Sequence, residues 1–152
     1  MDIVKIPAQI LSSPMENVSL EEIKNGSLRE LFSSMKEAMK NHNGIGLAAN
    51  QVGVNKRIFV IDEKVAKEAG IPDIFINPEI TEYAKEEDEM EEGCLSIPEY
   101  YVQIKRAKKI KIKAYDSEGN KIKLKVRGFA ARVLQHETDH LNGMVIKDRA
   151  QP

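Results

Sequence analysis

The chain has 152 residues, 41% hydrophobic and 31% charged, which suits one domain with a buried core and excludes disorder on composition. Its 23 basic and 24 acidic side chains leave a net charge of −1, which argues against attachment to nucleic acid or to an anionic membrane by bulk charge. One cysteine excludes an intrachain disulfide framework, so folding needs no oxidising compartment.

Residues 1–26 carry scattered Pro, Ser and Asn and read as an irregular arm that wraps the domain. From about Ser27 the spacing predicts a helix, because Leu28, Leu31, Phe32, Met35, Ala38 and Met39 recur on one face of a 3.6-residue period. Ser27 stands as its N-cap with Glu30 as capping-box partner, and Asn43-Gly44 supplies the stop. Two short β-branched and aromatic runs come next, RIFVID at 57–62 and IFIN at 74–77, and both read as strands. The acidic run Glu86-Glu87-Asp88-Glu89, continued by Glu91 and Glu92, reads as a surface loop; Glu92 is set apart because it abuts the next motif. Lys109–Tyr115 and Lys121–Arg127 alternate lysine with aliphatic residues, and Asp116-Ser117-Glu118-Gly119-Asn120 between them has turn chemistry, so the pair is an antiparallel hairpin. The basic run from Lys105 through Arg106 to Arg127 reads as the solvated face of that hairpin, with lysine discouraging edge pairing. A second helix spans Gly128–Leu141 and stops at Asn142-Gly143. Helix, several strands, helix is the order of a single α+β domain over residues 1–152 with a mainly antiparallel sheet.

Chemistry concentrates in three places. Gln135-His136-Glu137-Thr138-Asp139-His140 holds H-E-x-x-H inside the second helix. Four residues are about 40° more than one helical turn, so both imidazoles share a face and can reach one metal ion. Glu137 projects beside them, placed to handle the proton of a water rather than to bind metal. A catalytic site built on two histidines needs a third ligand, and the 12 residues after His140 offer Asp148 but no His, Glu or Cys. The ligand comes from upstream or the site is incomplete, and upstream Cys94 in Glu92-Gly93-Cys94-Leu95-Ser96-Ile97-Pro98 is the leading candidate. Gly93 there permits close backbone approach, and Pro98 interrupts regular pairing. The third stretch, Gly44-Ile45-Gly46-Leu47-Ala48-Ala49-Asn50-Gln51-Val52-Gly53, has three glycines in ten residues and presents free backbone groups to a ligand. It is no phosphate loop, since no Lys-Ser/Thr pair comes after it.

The motifs G-I-G-L-A-A-N-Q, E-G-C-L-S and Q-H-E-x-D-H, in this order, resemble those of the peptide deformylase family, which removes the formyl group from the N-terminal formyl-methionine of newly made proteins; the likeness runs from Ile3 to about Arg149. The resemblance implies mainly antiparallel sheets around a central metal-binding helix. It implies Cys94, His136 and His140 as metal ligands, Glu137 as general acid/base, and Gln51 with the Leu95 backbone N–H as an oxyanion site. Ile45, Gly46 and Gly93 then line the peptide groove by backbone contact. Cys/His/His suits Zn²⁺ by donor softness, but the resemblance implies Fe²⁺ as the working ion, with Zn²⁺ or Ni²⁺ as replacements. The implied partner is a formyl-Met peptide, with no nucleic acid read directly and no membrane.

Departures from the family pattern occur at Asn50, often Thr or Pro; at Ser12, often Arg; and at Tyr101, which stands for an Arg near the groove mouth. Many bacterial members continue into a long C-terminal helix linked with docking at the ribosomal exit tunnel. Here only Ala150-Gln151-Pro152 follow Arg149, so a short form lacking that helix is expected, leaving at most a transient ribosome contact. No apolar run approaches the roughly 20 residues of a membrane span, and Met1-Asp2-Ile3-Val4-Lys5 resembles neither a secretory nor a transit segment. The expected setting is the cytoplasm of a bacterium, or of a bacterial host if the source is a phage. Two alternatives stay open on the residues. An H-E-x-x-H peptidase cutting internal bonds is disfavoured by the missing downstream ligand, and a non-catalytic metal-binding relative is disfavoured by the intact Glu137 and Gln51.

Overall fold

The computed structural model describes residues 1–150; Gln151 and Pro152, on which the expectation of a short C-terminus partly rests, lie outside the described residues. In chain order the elements are α1 (Leu20–Lys24), α2 (Arg29–Asn41), β1 (Gly46–Ala48), β2 (Ile58–Ile61), α3 (Glu63–Ala69), β3 (Ile74–Tyr83), β4 (Glu87–Cys94), β5 (Ile97–Ala107), β6 (Lys109–Tyr115), β7 (Lys121–Arg127), α4 (Gly128–Leu141) and α5 (Ile146–Arg149). Short 3-10 turns at Gln9–Ser12 and Ala49–Val52 complete the set.

The strands form a five-stranded antiparallel sheet, ordered β1-β2-β3-β6-β7, and a separate β4–β5 ribbon. Every residue of β2 is buried, and its alternation serves two helices at once. Phe59 and Ile61 join Ala131, Leu134 and Leu141 of α4 on one face, whereas Ile58 and Val60 join Phe32, Met35 and Met39 of α2 on the other. A strand buried on both faces reads as an unbroken apolar run. Phe59 stacks on Phe75 of the neighbouring strand with ring centroids 5.0 Å apart. The α4 layer continues over the aliphatic side of β6 and β7, through Ile110, Ile112 and Val126. The opposite side of those two strands is their lysine face, and it is exposed.

The hairpin β6–β7 and helix α4 lie where the sequence places them. Four expectations need correction. The acidic run at 86–92 is strand β4 rather than a loop, because β5 meets it with complementary charge, Asp88 opposite Arg106 and Glu89 opposite Lys105; cross-strand partners override poor intrinsic strand propensity. Arg106 is not on the solvated face but 4% exposed in an ion cluster. Ser27 does not cap α2: its N–H donates to Asn25 Oδ1, its hydroxyl donates to the Glu22 carbonyl, and Leu28 holds the cap position without a side-chain bond. The arm at 1–26 does wrap the domain but also contains α1, capped by the Ser19 hydroxyl accepting from the Glu22 N–H.

The arm also buttresses distant parts of the chain. Val4 N–H donates to the Gln51 carbonyl, Ile6 N–H to the Ser96 carbonyl, and Met15 N–H to the Leu141 carbonyl. Arg57 spans from β2 to the C-terminal end of α4, donating to the carbonyls of Leu141 and Pro78 and to Asn142 Oδ1, where a cation also suits the helix dipole.

Candidate metal centre

Cys94 ends β4, and Leu95 with Ser96 makes the tight connection to β5. Pairing jumps there from Gly93 opposite Tyr101 to Cys94 opposite Ile97, and Glu99 in the extra loop of chain has a positive φ of 60°. The bulge contains Pro98, which cannot donate to a ladder. It turns Cys94 toward α4, where His136 and His140 sit one turn apart. The sulfur and one ligand nitrogen from each imidazole all lie within 4.8 Å of one another, with Cys94 Sγ 3.3 Å from His140 Nε2. Tetrahedral bonds of about 2.0–2.3 Å to one cation space neighbouring donors by roughly 3.5 Å. The three residues therefore fit a divalent transition metal.

The outer contacts agree. His136 Nδ1 bonds Glu92 Oε1 at 2.9 Å, which leaves Nε2 to face the site. Burial opposes a charge on His136, yet the neighbouring Glu137 and Glu92 carboxylates and the Cys94 sulfur raise it to about 10; the same negative surroundings favour a dication. Burial, together with the charges of His136 and Arg106, holds His140 well below its ordinary value, so it is the neutral imidazole a metal requires.

Glu92 is the hub of a buried cluster. It accepts from Arg106 Nε at 2.6 Å and Nη2 at 2.9 Å, and from Arg132 Nη1. Burial works against its charge, but His136 and Arg106 hold it well below the usual carboxylate range. Arg106 also donates to Asp139, which accepts two further bonds from Arg149. Arg132, one turn before His136, reaches the Ile104 carbonyl and both the carbonyl and the carboxylate of Asp88. These two arginines tie the ribbon that carries Cys94 to the helix that carries the imidazoles. Sequence reasoning missed both; the one available signal for Arg106 is that it shares a strand face with Ile104.

Glu137 is 3% exposed, with Oε2 3.9 Å from His136 Nε2 and Oε1 unpartnered among the described residues. Burial pushes its carboxyl up to about 7, against the pull of His136 and Arg106, which is the range for exchanging protons near neutrality. Gly46 opens β1 directly against it: a Cβ there would stand 2.5 Å from Glu137 Oε2. Gln51 is buried, and its orientation is determined by its neighbours. Its Oε1 accepts from the Ala48 N–H at 3.0 Å, so its amide N–H groups point to Ser96 Oγ at 3.1 Å and Cys94 Sγ at 3.6 Å. Ser96, which no sequence motif singles out, donates onward to the Val4 carbonyl at 2.6 Å. Ile45, just before β1, and Gly93, in β4, both line the cavity. Tyr101 lies over Gly93, where a Cβ would meet its ring at 2.6 Å. Of the nine residues singled out from the sequence, all but His140 line one cavity of about 480 Å³; His140 is buried behind Cys94.

Comparisons with known proteins place the chain among relatives of one family. The family model for polypeptide deformylase matches residues 1–152. The peptide deformylase of Thermodesulfovibrio yellowstonii is 42% identical over 152 residues, covering 100% of this chain and 90% of that protein. The crystal structure of peptide deformylase from Thermotoga maritima superposes with a TM-score of 0.89 at 41% identity, covering 99% of this chain and 97% of the other. A deformylase from the Vibrio parahaemolyticus bacteriophage VP16T, crystallised with actinonin, superposes with a TM-score of 0.85 at 37% identity, covering 95% of this chain and 99% of the other.

Proposed function

The chain belongs to the polypeptide deformylase family, hydrolases that remove the formyl group from the N-terminal formyl-methionine of nascent polypeptides, and we propose a division of that work among its residues. Cys94, His136 and His140 would hold the metal through one sulfur and two imidazole nitrogens. A divalent cation held there would supply Lewis acidity toward the formyl carbonyl and the water of the site. Glu137 takes the proton of the attacking water, and its raised carboxyl returns that proton to the amine that leaves with the methionine. Formate and a free N-terminus result. As charge builds on the formyl oxygen, the Gln51 amide, held by Ala48 and Ser96, donates to it together with the Leu95 backbone N–H. Losing one such donor typically costs about 3–4 kcal/mol of barrier. Ile45, Gly46 and Gly93 present backbone to the peptide, and the exposed apolar side chain of Phe129 lies along the same cavity.

Fe²⁺ is the proposed working ion, supported by the family resemblance, with Zn²⁺ or Ni²⁺ able to occupy the same donors. A formyl-Met peptide is the proposed substrate, supported by the actinonin complex of the phage relative. The proposed setting is the cytoplasm of a bacterium or of a phage-infected host, with transient contact at the ribosome, supported by the bacterial and phage relatives. No helix among the described residues is long and apolar enough to cross a membrane.

One observation carries the reading. A sulfur and two imidazoles converge within 4.8 Å beside a buried carboxyl that has an unpartnered oxygen. Anaerobically prepared, iron-loaded protein is expected to release formate from formyl-Met-Ala-Ser and to leave unformylated Met-Ala-Ser intact. Cleavage of internal bonds without formate release would identify a peptidase instead. Full activity of the zinc form beside an inert iron form would reverse the choice of metal.

A further inference from the structure

The lysine face of β6–β7 asks for more explanation than edge protection provides. Strand β6 lies between β3 and β7, so its lysines guard no edge. The register stacks Lys109 opposite Arg127, Lys111 opposite Lys125 and Lys113 opposite Lys123, three successive like-charge pairs, each of which weakens a sheet. Lys111 and Lys113 have carboxylate partners on β3, Glu82 at 2.8 Å and Glu79 at 3.2 Å. Among the described residues, Lys109, Lys121, Lys123, Lys125 and Arg127 form no ion pair. In a chain of net charge −1 this is local segregation of positive charge, held at a destabilising cross-strand spacing by the β6–β7 ladder.

We propose that this face docks on the sugar-phosphate backbone of RNA. Lysines two residues apart on a strand stand about 6.7 Å from one another, a spacing comparable to that of successive phosphates along an RNA strand, and the free row on β7 is extended by Lys109 across from Arg127. The alternating burial of both strands turns every aliphatic side chain inward, so the face offers only the half-buried Tyr115 at one end and lacks the apolar stripe of a membrane-surface element. Its position also suits the reaction. The free cations of β6 and β7 are absent from the cavity lining, which comes from residues 42–46, Gln51, the β4–β5 ribbon and α4. Docking through the lysines therefore covers no residue of the site. The inference deepens the deformylase reading and rests on it for context, because nascent chains are made on RNA-rich particles.

The test pairs the parent protein with a Lys121→Glu, Lys123→Glu, Lys125→Glu variant. None of these residues touches the cavity, and each reversal at Lys123 and Lys125 replaces a like-charge pair with an opposite one, so the fold is preserved. Fluorescent oligo(U) and purified bacterial ribosomes serve as probes, titrated between about 50 and 200 mM salt. The parent is expected to bind both, with a log–log salt slope for oligo(U) near −3, as about 0.7 per phosphate contacted predicts for four to five cations. The variant should bind at least tenfold more weakly, with a flatter slope, while releasing formate from formyl-Met-Ala-Ser at the parent rate. Equal binding by parent and variant, or a parent that ignores both probes at the lowest salt, overturns the proposal. So does stronger binding to phosphatidylserine vesicles than to oligo(U), which would make the face a membrane element. Absence of formate release from both proteins would count against the deformylase reading and leave the RNA result to be judged separately.

Discussion

In the five-stranded sheet, position is secured by aliphatic and aromatic side chains packed from both sides, as in β2 between α2 and α4. The β4–β5 ribbon has only a small apolar cluster around Ile97, Ile104 and Ile146 and is fastened instead by Arg106 and Arg132 to Glu92, Asp88 and Asp139. Apolar packing tolerates small shifts, whereas a guanidinium fork bonded to a carboxylate specifies direction and distance. A buried ion cluster contributes little net stability compared with a well-packed apolar substitute. Its use here is placement: the cluster brings the Cys94 sulfur from the ribbon to two imidazoles on helix α4.

Substitutions in the two regions should therefore fail differently. The largest effect is expected where both converge. Glu137→Ala should retain metal, since the donors come from Cys94, His136 and His140, yet lose turnover by about 10²–10⁴-fold. Metal analysis beside formate release checks this, and near-parental turnover would remove Glu137 from proton transfer. In the ribbon, Arg106→Leu takes two donors from buried Glu92 and one from buried Asp139, leaving Arg132, His136 and Arg149 as their remaining partners, and should cost about 3 kcal/mol in urea unfolding. Metal affinity should fall with it by about 10–100-fold, because Glu92 orients His136; unaltered metal affinity in the folded variant would show that the cluster does not position the site. In the sheet, Phe59→Ala should cost a comparable 3–5 kcal/mol or about that, while the folded fraction binds metal as the parent does. A matching loss of affinity would erase the distinction between the two regions. Gly46→Ala is the mildest case, about 1–3 kcal/mol of overpacking. Because the added methyl collides with Glu137, turnover should drop more than stability does, and a crystal structure or an activity-to-stability comparison would reveal an undisplaced carboxylate if the collision is absorbed elsewhere.

The β6–β7 hairpin, helix α4 and the stripe of α2 are legible in the sequence because each repeats one local rule along its length. Lysine alternating with isoleucine states both a strand and its buried face. Strand β4 is not legible, since Glu87-Asp88-Glu89 has the composition of a loop until Arg106 and Lys105 stand opposite. Arg106 is hidden for the same reason, as one cation in a run of cations. Ser27 obeys the local rule for a cap, but the neighbouring Asn25 and Glu22 take its hydrogen-bonding groups first. At the site, the H-E-x-x-H spacing announces two imidazoles on one helix face with a carboxyl beside them, because all three lie close together on one helix.

Residue order alone thus determined the periodic elements and the paired imidazoles, since these depend on bonds and repeats within a few residues. Only tertiary structure decided that Cys94 is brought to His140, that two buried arginines hold it there, and that Gly46 is small to admit Glu137. Cys94 meets His140 across 46 positions and Arg132 meets Glu92 across 40, and partners so distant are selected by packing, charge and geometry in space, which no local pattern of the chain encodes.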